Sequence, residues 1–91
     1  MKMVITAYPT RQISINIVQD MNSNVLLDAA LVWYKDLQST TIQFKKQFPE
    51  IDEIMLFGPI SYVEHIAEDL GIIFENDNSL QISVMVNDVT E

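Results

Sequence analysis

The sequence predicts one α/β domain, residues 1–91, built on a mixed β-sheet with two helices. Three observations predict this class. Apolar and polar residues alternate through the first third of the chain, as in strands with one buried face. Two later segments repeat apolar residues at helical spacing, and a short apolar run separates them. Helices that follow strands cross back over the sheet in a right-handed sense, so the later strands are expected to lie parallel to a central first strand.

The first third of the chain predicts three antiparallel strands. Residues 3–8 are β-prone, and the turn at 9–11 interrupts them. Strict alternation then predicts a second strand over 13–19. The polar cluster at 20–24 predicts a turn, and the apolar stretch 25–34 predicts a long third strand.

The middle of the chain predicts a helix and then a strand. Asp36 is the predicted N-cap of a helix whose apolar stripe faces the sheet, and Pro49 ends that helix. The nearly continuous apolar run 51–57 follows. Such a run predicts a central strand that is covered on both faces.

The last third predicts a second helix and two more strands. Ser61 and Glu64 have the spacing of a capping box, and Gly71 is a predicted helix stop. Residues 72–74 and 82–86 are predicted strands, the last of them at an edge of the sheet. The predicted order is β-β-β-α-β-α-β-β.

The opening hairpin and this order resemble a known fold. Residues 5–15, Ile-Thr-Ala-Tyr-Pro-Thr-Arg-Gln-Ile-Ser-Ile, are similar to the first hairpin of Holliday-junction resolvases of the RuvC and YqgF type. The order over about residues 3–75 resembles the RNase H-like fold, a three-strand meander followed by helix–strand–helix–strand. The resemblance implies metal-binding carboxylates at the ends of the first and fourth strands. Ala7 or Tyr8 and Phe57–Gly58–Pro59 occupy those positions, so the catalytic carboxylates are expected to be absent.

Charge is distributed unevenly along the chain. All five bases and only three of the 13 acids precede residue 50, so the first half carries +2, the remainder −10 and the whole chain −8. Affinity for a nucleic-acid backbone comes mainly from Lys and Arg, so direct nucleic-acid binding is not expected. Acids on one surface steer cationic surfaces toward it, which predicts a basic protein partner. Solubility alone is the competing interpretation.

Seven residues are predicted to bind this partner. Trp33 and Tyr34 end the third strand, where neighbouring side chains point to opposite sides of the sheet, so one of them is expected to be exposed. An exposed aromatic on an edge strand is a common interface anchor, although packing under the first helix explains Trp33 equally well. With the acids of the second half, the predicted partner-binding set is Trp33, Tyr34, Asp52, Glu53, Glu64, Glu68 and Asp69.

Few residues are candidates for catalysis or metal binding. The chain has no cysteine and one histidine, so a thiolate zinc site is excluded. His65 is expected to be a solvated helix-face side chain near Glu68. No lysine or Gly-rich loop accompanies the crevice expected beyond the parallel strands. That crevice is predicted to be lined by Tyr8, Pro9, Phe57, Gly58, Pro59 and Ser61. We therefore predict no catalytic residue, metal or cofactor.

The sequence thus predicts a small, cytoplasmic, non-enzymatic protein-binding domain, an inhibitor or accessory factor of a nucleic-acid-handling protein. In general character it resembles small accessory proteins encoded by bacteriophages. Its 48% hydrophobic content is too scattered for a membrane span, so no membrane contact is expected. One alternative is a minimal metal-dependent nuclease using Asp28, Asp52 and Glu64. Another is a homo-oligomer, such as a homodimer, paired through edge strands.

Overall fold

The computed structural model describes residues 1–20, 22 and 25–86 of the 91-residue chain. Met21, Ser23 and Asn24 of the predicted second turn lie outside the described residues. A short 3₁₀ helix, Tyr34–Asp36, leads into the first α-helix. The elements are β1 (Lys2–Ala7), β2 (Gln12–Val18), β3 (Leu26–Trp33), α1 (Leu37–Gln47), β4 (Glu53–Gly58), α2 (Ile60–Ile73) and β5 (Gln81–Val86).

The five strands form one mixed sheet in the order β3-β2-β1-β4-β5. β2 runs antiparallel to both of its neighbours, whereas β4 is parallel to β1 and β5 is parallel to β4. The two helices are the crossovers that these parallel strands require. The predicted α/β class, the mixed sheet and the central first strand parallel to β4 are confirmed.

Both helices pack on the same side of the sheet. Leu37 and Phe44 of α1 and Val63, Ile66 and Leu70 of α2 belong to one hydrophobic cluster. Alternate residues of three strands are buried beneath them. These strand residues are Met3, Ile5, Ala7, Ile13, Ile15, Ile17, Ile54 and Leu56.

The other side of the sheet is not covered by any described element. In β4, Ile54 and Leu56 are fully buried, but Met55 and Phe57, which alternate with them, are partly exposed. The prediction that this strand is covered on both faces is wrong, because both helices lie on one side. The apolar side chains of Met55 and Phe57 therefore belong to a surface rather than to the core.

The first helix forms where the apolar stripe predicts it. Leu37, Thr41 and Phe44 are buried, and the Thr41 hydroxyl donates a hydrogen bond of 2.7 Å to the Leu37 carbonyl. This bond satisfies the one buried polar side chain of the described residues. Asp36 occupies the predicted N-cap position, but its side chain makes no capping hydrogen bond. The helix ends at Gln47, and Phe48 is its C-cap residue. Pro49, the predicted end of the helix, follows directly.

The second helix is longer than predicted and replaces the strand expected over 72–74. It continues through Gly71 because Ile66, Leu70 and Ile73 repeat on one face, and this packing overrides the β-preference of the isoleucines. The fifth of the six predicted strands is therefore replaced by helix, and Gly71 is not the stop. Ser61 makes no capping bond either; Pro59 holds the N-cap position. No helix in the described part of the chain is long and apolar enough to cross a membrane.

Candidate functional site

A continuous surface lies on the side of the sheet that the helices leave uncovered. The strand registers and the alternation of side chains place sixteen residues on it. We call this surface the open sheet face. Its residues are Lys2, Val4, Thr6, Gln12, Ser14, Asn16, Val18, Ala29, Leu31, Trp33, Glu53, Met55, Phe57, Gln81, Ser83 and Met85.

Charge is nearly excluded from the open sheet face. The chain has 13 acids and five bases, yet Lys2 and Glu53 are the only charged residues that the described strands place on this face. Their Nζ and Oε1 atoms are 3.1 Å apart, and the Ser83 hydroxyl donates a hydrogen bond of 2.5 Å to the other Glu53 oxygen. The bond from Ser83 and the Lys2 ammonium hold the pKa of Glu53 below its usual range. The face as a whole therefore carries no net charge.

Large apolar side chains are exposed at both margins of the open sheet face. Leu31 is 63% and Trp33 52% exposed on edge strand β3, and Met85 is 45% exposed on edge strand β5. Phe57 and Met55 lie between them and are partly exposed. Exposed aromatic residues and Met together with depleted charge are the composition of an interface core. Of the two aromatics predicted to end the third strand, Trp33 is exposed, as expected for one of the pair, whereas Tyr34 begins the 3₁₀ helix and is partly buried.

A cavity of about 540 Å³ lies at the carboxyl ends of β1 and β3. Arg11, Trp33, Tyr34, Lys35 and Tyr62 line it. It occupies the end of the parallel strands where the sequence predicts a crevice, but none of the six residues predicted for that crevice is in its lining. Cations and aromatic rings form its wall instead.

The β1–β2 turn fixes the position of Arg11 in this cavity. Arg11 has a φ of 66°, in the left-handed region that non-glycine residues seldom adopt. Its backbone N–H donates to the Tyr8 carbonyl at 3.1 Å, and its own carbonyl accepts the Tyr34 N–H at 2.8 Å. The turn therefore tethers the end of β3 to the first hairpin, at the cost of local strain on Arg11.

Tyr34 connects the cavity to a second, 480 Å³ groove between α1 and α2. Its hydroxyl donates a hydrogen bond of 2.5 Å to the carboxylate of Asp69 on α2. Burial, the bond to Asp69 and the nearby charge of Glu68 raise the pKa of Tyr34 to about 12. Tyr34 and Asp69 were both predicted to bind a partner. Instead, their hydrogen bond joins the 3₁₀ helix to α2.

The predicted partner-binding acids do not form one surface. Glu53 lies on the open sheet face, whereas Glu64, Glu68 and Asp69 lie on α2, on the opposite side of the sheet. Asp52 precedes β4 and lies 3.0 Å from the Lys2 ammonium, with the N-terminal ammonium 3.8 Å away. The bond with Lys2 holds the pKa of Asp52 below its usual range. Lys2 therefore already pairs with two of the predicted acids.

The acids of α2 are the exposed remainder of the predicted set. Glu64 and Glu68 are exposed and make no salt bridge within the described part of the chain. His65 between them is exposed as well, as predicted for a solvated helix-face histidine. Trp33 lies on the other side of the sheet, so these acids and the predicted aromatic anchor cannot contact one flat partner together.

The residues of the nuclease alternative lie far apart in the sheet. Asp28 is on edge strand β3 and Asp52 directly precedes β4, three strand spacings away, about 14 Å. Two-metal hydrolysis requires ligands that converge on ions about 4 Å apart. Among the described residues there is no group of three or more His, Asp or Glu side chains that could hold a metal ion.

Several residues of these two surfaces were missed in the sequence. The sequence predicts strands that contain Leu31 and Met85, but it does not predict which side of the sheet these side chains lie on. That side depends on where the helices pack. Arg11 and Lys35 follow two strands that end at the same edge of the sheet, a signal that could have predicted their proximity. Tyr62 lies in the first turn of α2 and is exposed, although it is spaced like the buried Ile66 and Leu70.

Comparison with known proteins finds no family model, curated protein or solved structure that matches this chain.

Proposed function

We propose that the protein is a non-catalytic protein-binding domain whose binding surface is the open sheet face, and that its occupant is a second copy of the chain. The observation that carries the proposal is the exclusion of charge from this face in a chain with net charge −8. A sheet face that meets only water has no reason to avoid charged side chains. A face that packs against protein does have a reason to avoid charged side chains, because burying an unpaired charge costs free energy.

The size of the open sheet face supports a self-complementary pairing. Five strands about 4.8 Å apart and about 20 Å long present a surface of roughly 24 by 20 Å. Two such faces in contact would hide on the order of 1,000 Å², which is close to the smallest area of a biological interface and corresponds to a weak or transient dimer. The face carries no net charge, so the −8 of each copy lies elsewhere and does not prevent the two faces from packing.

The topology supports an RNase H-like assignment for this domain. A three-strand meander precedes helix, strand, helix and strand, and β2 alone runs against the other four strands. The ends of β1 and β4 carry Ala7 and Gly58. A Cβ on Gly58 would lie 2.9 Å from the Ala7 carbonyl oxygen. A carboxylate side chain therefore has no room at position 58, which supports a non-catalytic role.

The test compares one substitution on each side of the molecule. Leu31→Lys places a charge in the open sheet face, and Ile72→Lys places the same charge on α2, where Ile72 is 69% exposed. Sedimentation velocity over a concentration series should show a dimer for the wild type and Ile72→Lys, and a monomer for Leu31→Lys. A monomeric wild type at every concentration, or dimers of all three, would refute the proposal.

A basic protein partner stays a prediction for the exposed acids Glu64 and Glu68, and so does the role of inhibitor or accessory factor. Added salt separates this partner from the second copy. Screening should weaken a complex with a basic protein, whereas it should strengthen the association of two chains that each carry −8.

A further inference from the structure

Cations and aromatic rings converge on the cavity at the carboxyl ends of β1 and β3. Two of the five bases of the chain line this one cavity. Three of its four Trp and Tyr residues line it as well. None of the acids in the described part of the chain is among the lining residues. In a chain of net charge −8, this composition indicates an anionic ligand that also has a flat face for the rings.

Arg11 supports the same interpretation independently of composition. Its left-handed φ of 66° is a conformation that glycine adopts without strain. The hydrogen bonds to Tyr8 and from Tyr34 hold the backbone there, so the hairpin fixes the main chain from which the Arg11 side chain lines the cavity. Strained residues that the surrounding structure holds in place are concentrated at functional sites.

We propose that this cavity binds a mononucleotide, with its phosphate at Arg11 and Lys35 and its base against the rings of Trp33 and Tyr62. Its volume of 540 Å³ lies within the range of small-molecule sites. Arginine offers two parallel donors to a phosphate, and aromatic side chains stack on nucleobases without requiring a particular sequence.

The ligand is a single nucleotide rather than a strand. Strand binding neutralises several phosphates with a row of cations. This cavity offers two cations, and the rest of the chain repels a polyanion. Trp33 also belongs to the open sheet face, so a second copy packed there would compete with the nucleobase for this ring. The Leu31→Lys variant, which is expected to be monomeric, therefore tests nucleotide binding separately from self-association.

Trp33 is the sole tryptophan of the chain, so its fluorescence reports directly on the cavity. The experiment titrates AMP into the wild type and into Leu31→Lys, with adenosine, inorganic phosphate and an oligoadenylate strand as parallel probes. We expect saturable quenching by AMP in both proteins. Adenosine and phosphate should each bind at least about tenfold more weakly, because each lacks one half of the recognised chemistry.

Three variants test the assignment of the cations. Arg11→Gly and Lys35→Gln should each weaken AMP binding about tenfold, since each removes a charge-assisted contact. Lys46→Gln removes the same charge from the exposed side of α1 and should leave the affinity unchanged. Arg11→Gly also relieves the backbone strain, so its melting temperature should not fall. Isothermal titration calorimetry provides a second readout.

Four results would overturn the inference. They are no saturable response to AMP in the millimolar range, equal affinity for AMP and adenosine, equal affinity for AMP and phosphate, and wild-type affinity in both Arg11→Gly and Lys35→Gln. If the affinity rises steadily with oligoadenylate length, the ligand is a nucleic-acid strand, and the proposal of a single nucleotide is wrong.

Discussion

The two sides of the sheet are built from the same strands but have different compositions. The side under the helices is lined by aliphatic side chains that are fully buried, such as Ile5 and Leu56. The open sheet face mixes apolar residues with uncharged polar ones and keeps a single salt-bridged pair, Lys2 and Glu53. In our proposal, low charge together with exposed apolar side chains distinguishes the open sheet face as a contact surface, whereas the side under the helices is the core of the domain.

The largest difference between the two sides should be in stability. Leu56→Ala removes a fully buried side chain and should lower the free energy of unfolding by about 2–5 kcal/mol. Met55→Ala, one residue earlier and on the open sheet face, should lower it by less than about 1 kcal/mol. Urea unfolding in the Leu31→Lys background measures both without a contribution from self-association. Equal losses would show that the two sides are not energetically distinct.

The two glycines should respond in opposite directions. Gly58 has a φ of +140°, and an added Cβ would meet the Ala7 carbonyl oxygen, so Gly58→Ala should cost about 1–3 kcal/mol. Gly71 lies inside α2, and no atom lies within 4 Å of an added Cβ. Gly71→Ala should therefore stabilise the helix by about 0.5–1 kcal/mol. Thermal denaturation measures both, and a stabilising Gly58→Ala would contradict the close approach of β1 and β4.

Tyr34 predicts a stability change at high pH on the helix-covered side. Its pKa in the folded protein is about 12, above the ordinary value of 10.0. The stabilisation is therefore fully present below pH 10 and is lost as the pH rises toward 12. Tyrosinate absorbance should show a late step at high pH, and Tyr34→Phe should remove that step. A Tyr34→Phe variant that keeps the late step would contradict the contact with Asp69.

Glu53 predicts the corresponding, smaller effect at low pH on the open sheet face. Ser83 and Lys2 lower its pKa in the folded state, so its contribution to stability is present above the unfolded-state value and is lost as the pH falls through the folded-state value. Ser83→Ala should reduce this acid sensitivity, and urea unfolding at several acidic pH values measures it. Ser79→Ala removes a serine that contacts a different acid, Asp77, and should leave the contribution of Glu53 unchanged.

Most of the fold could be predicted from the sequence because local patterns determine it. β-prone residues located β1, strict alternation located β2, and an apolar stretch after a turn located β3. The stripe from Leu37 to Phe44 located α1. The strand expected over 72–74 failed because Ile72 and Ile73 favour strands locally, whereas the helical repeat with Leu70 prevails once the sheet is present. Periodicity of two residues identifies which side chains share a face, but not which face the helices cover.

The site was less predictable for the same reason. Trp33 was predicted to be an exposed anchor from its place at the end of a strand, and it is exposed, yet most of the acids predicted with it lie on other surfaces. Asp52 and Glu53 both form salt bridges with Lys2, and Asp52 is fifty residues from Lys2 in the sequence. No local sequence pattern predicts contacts over such a separation. Arg11, Lys35 and Tyr62 come together only because strand order brings three loops or helix ends to one edge.

Cross-linking tests most directly whether two copies pack through the open sheet face. The chain has no cysteine, so Thr6→Cys on central strand β1 places a single thiol near the middle of the face, and Ser39→Cys places one on the exposed side of α1. A bismaleimide spanning about 10 Å, the spacing of packed sheets, should link Thr6→Cys chains rapidly and Ser39→Cys chains slowly. Pairing through edge strand β3 would instead hold the two Thr6 positions about 24 Å apart. Failure of Thr6→Cys to cross-link faster than Ser39→Cys would contradict the account.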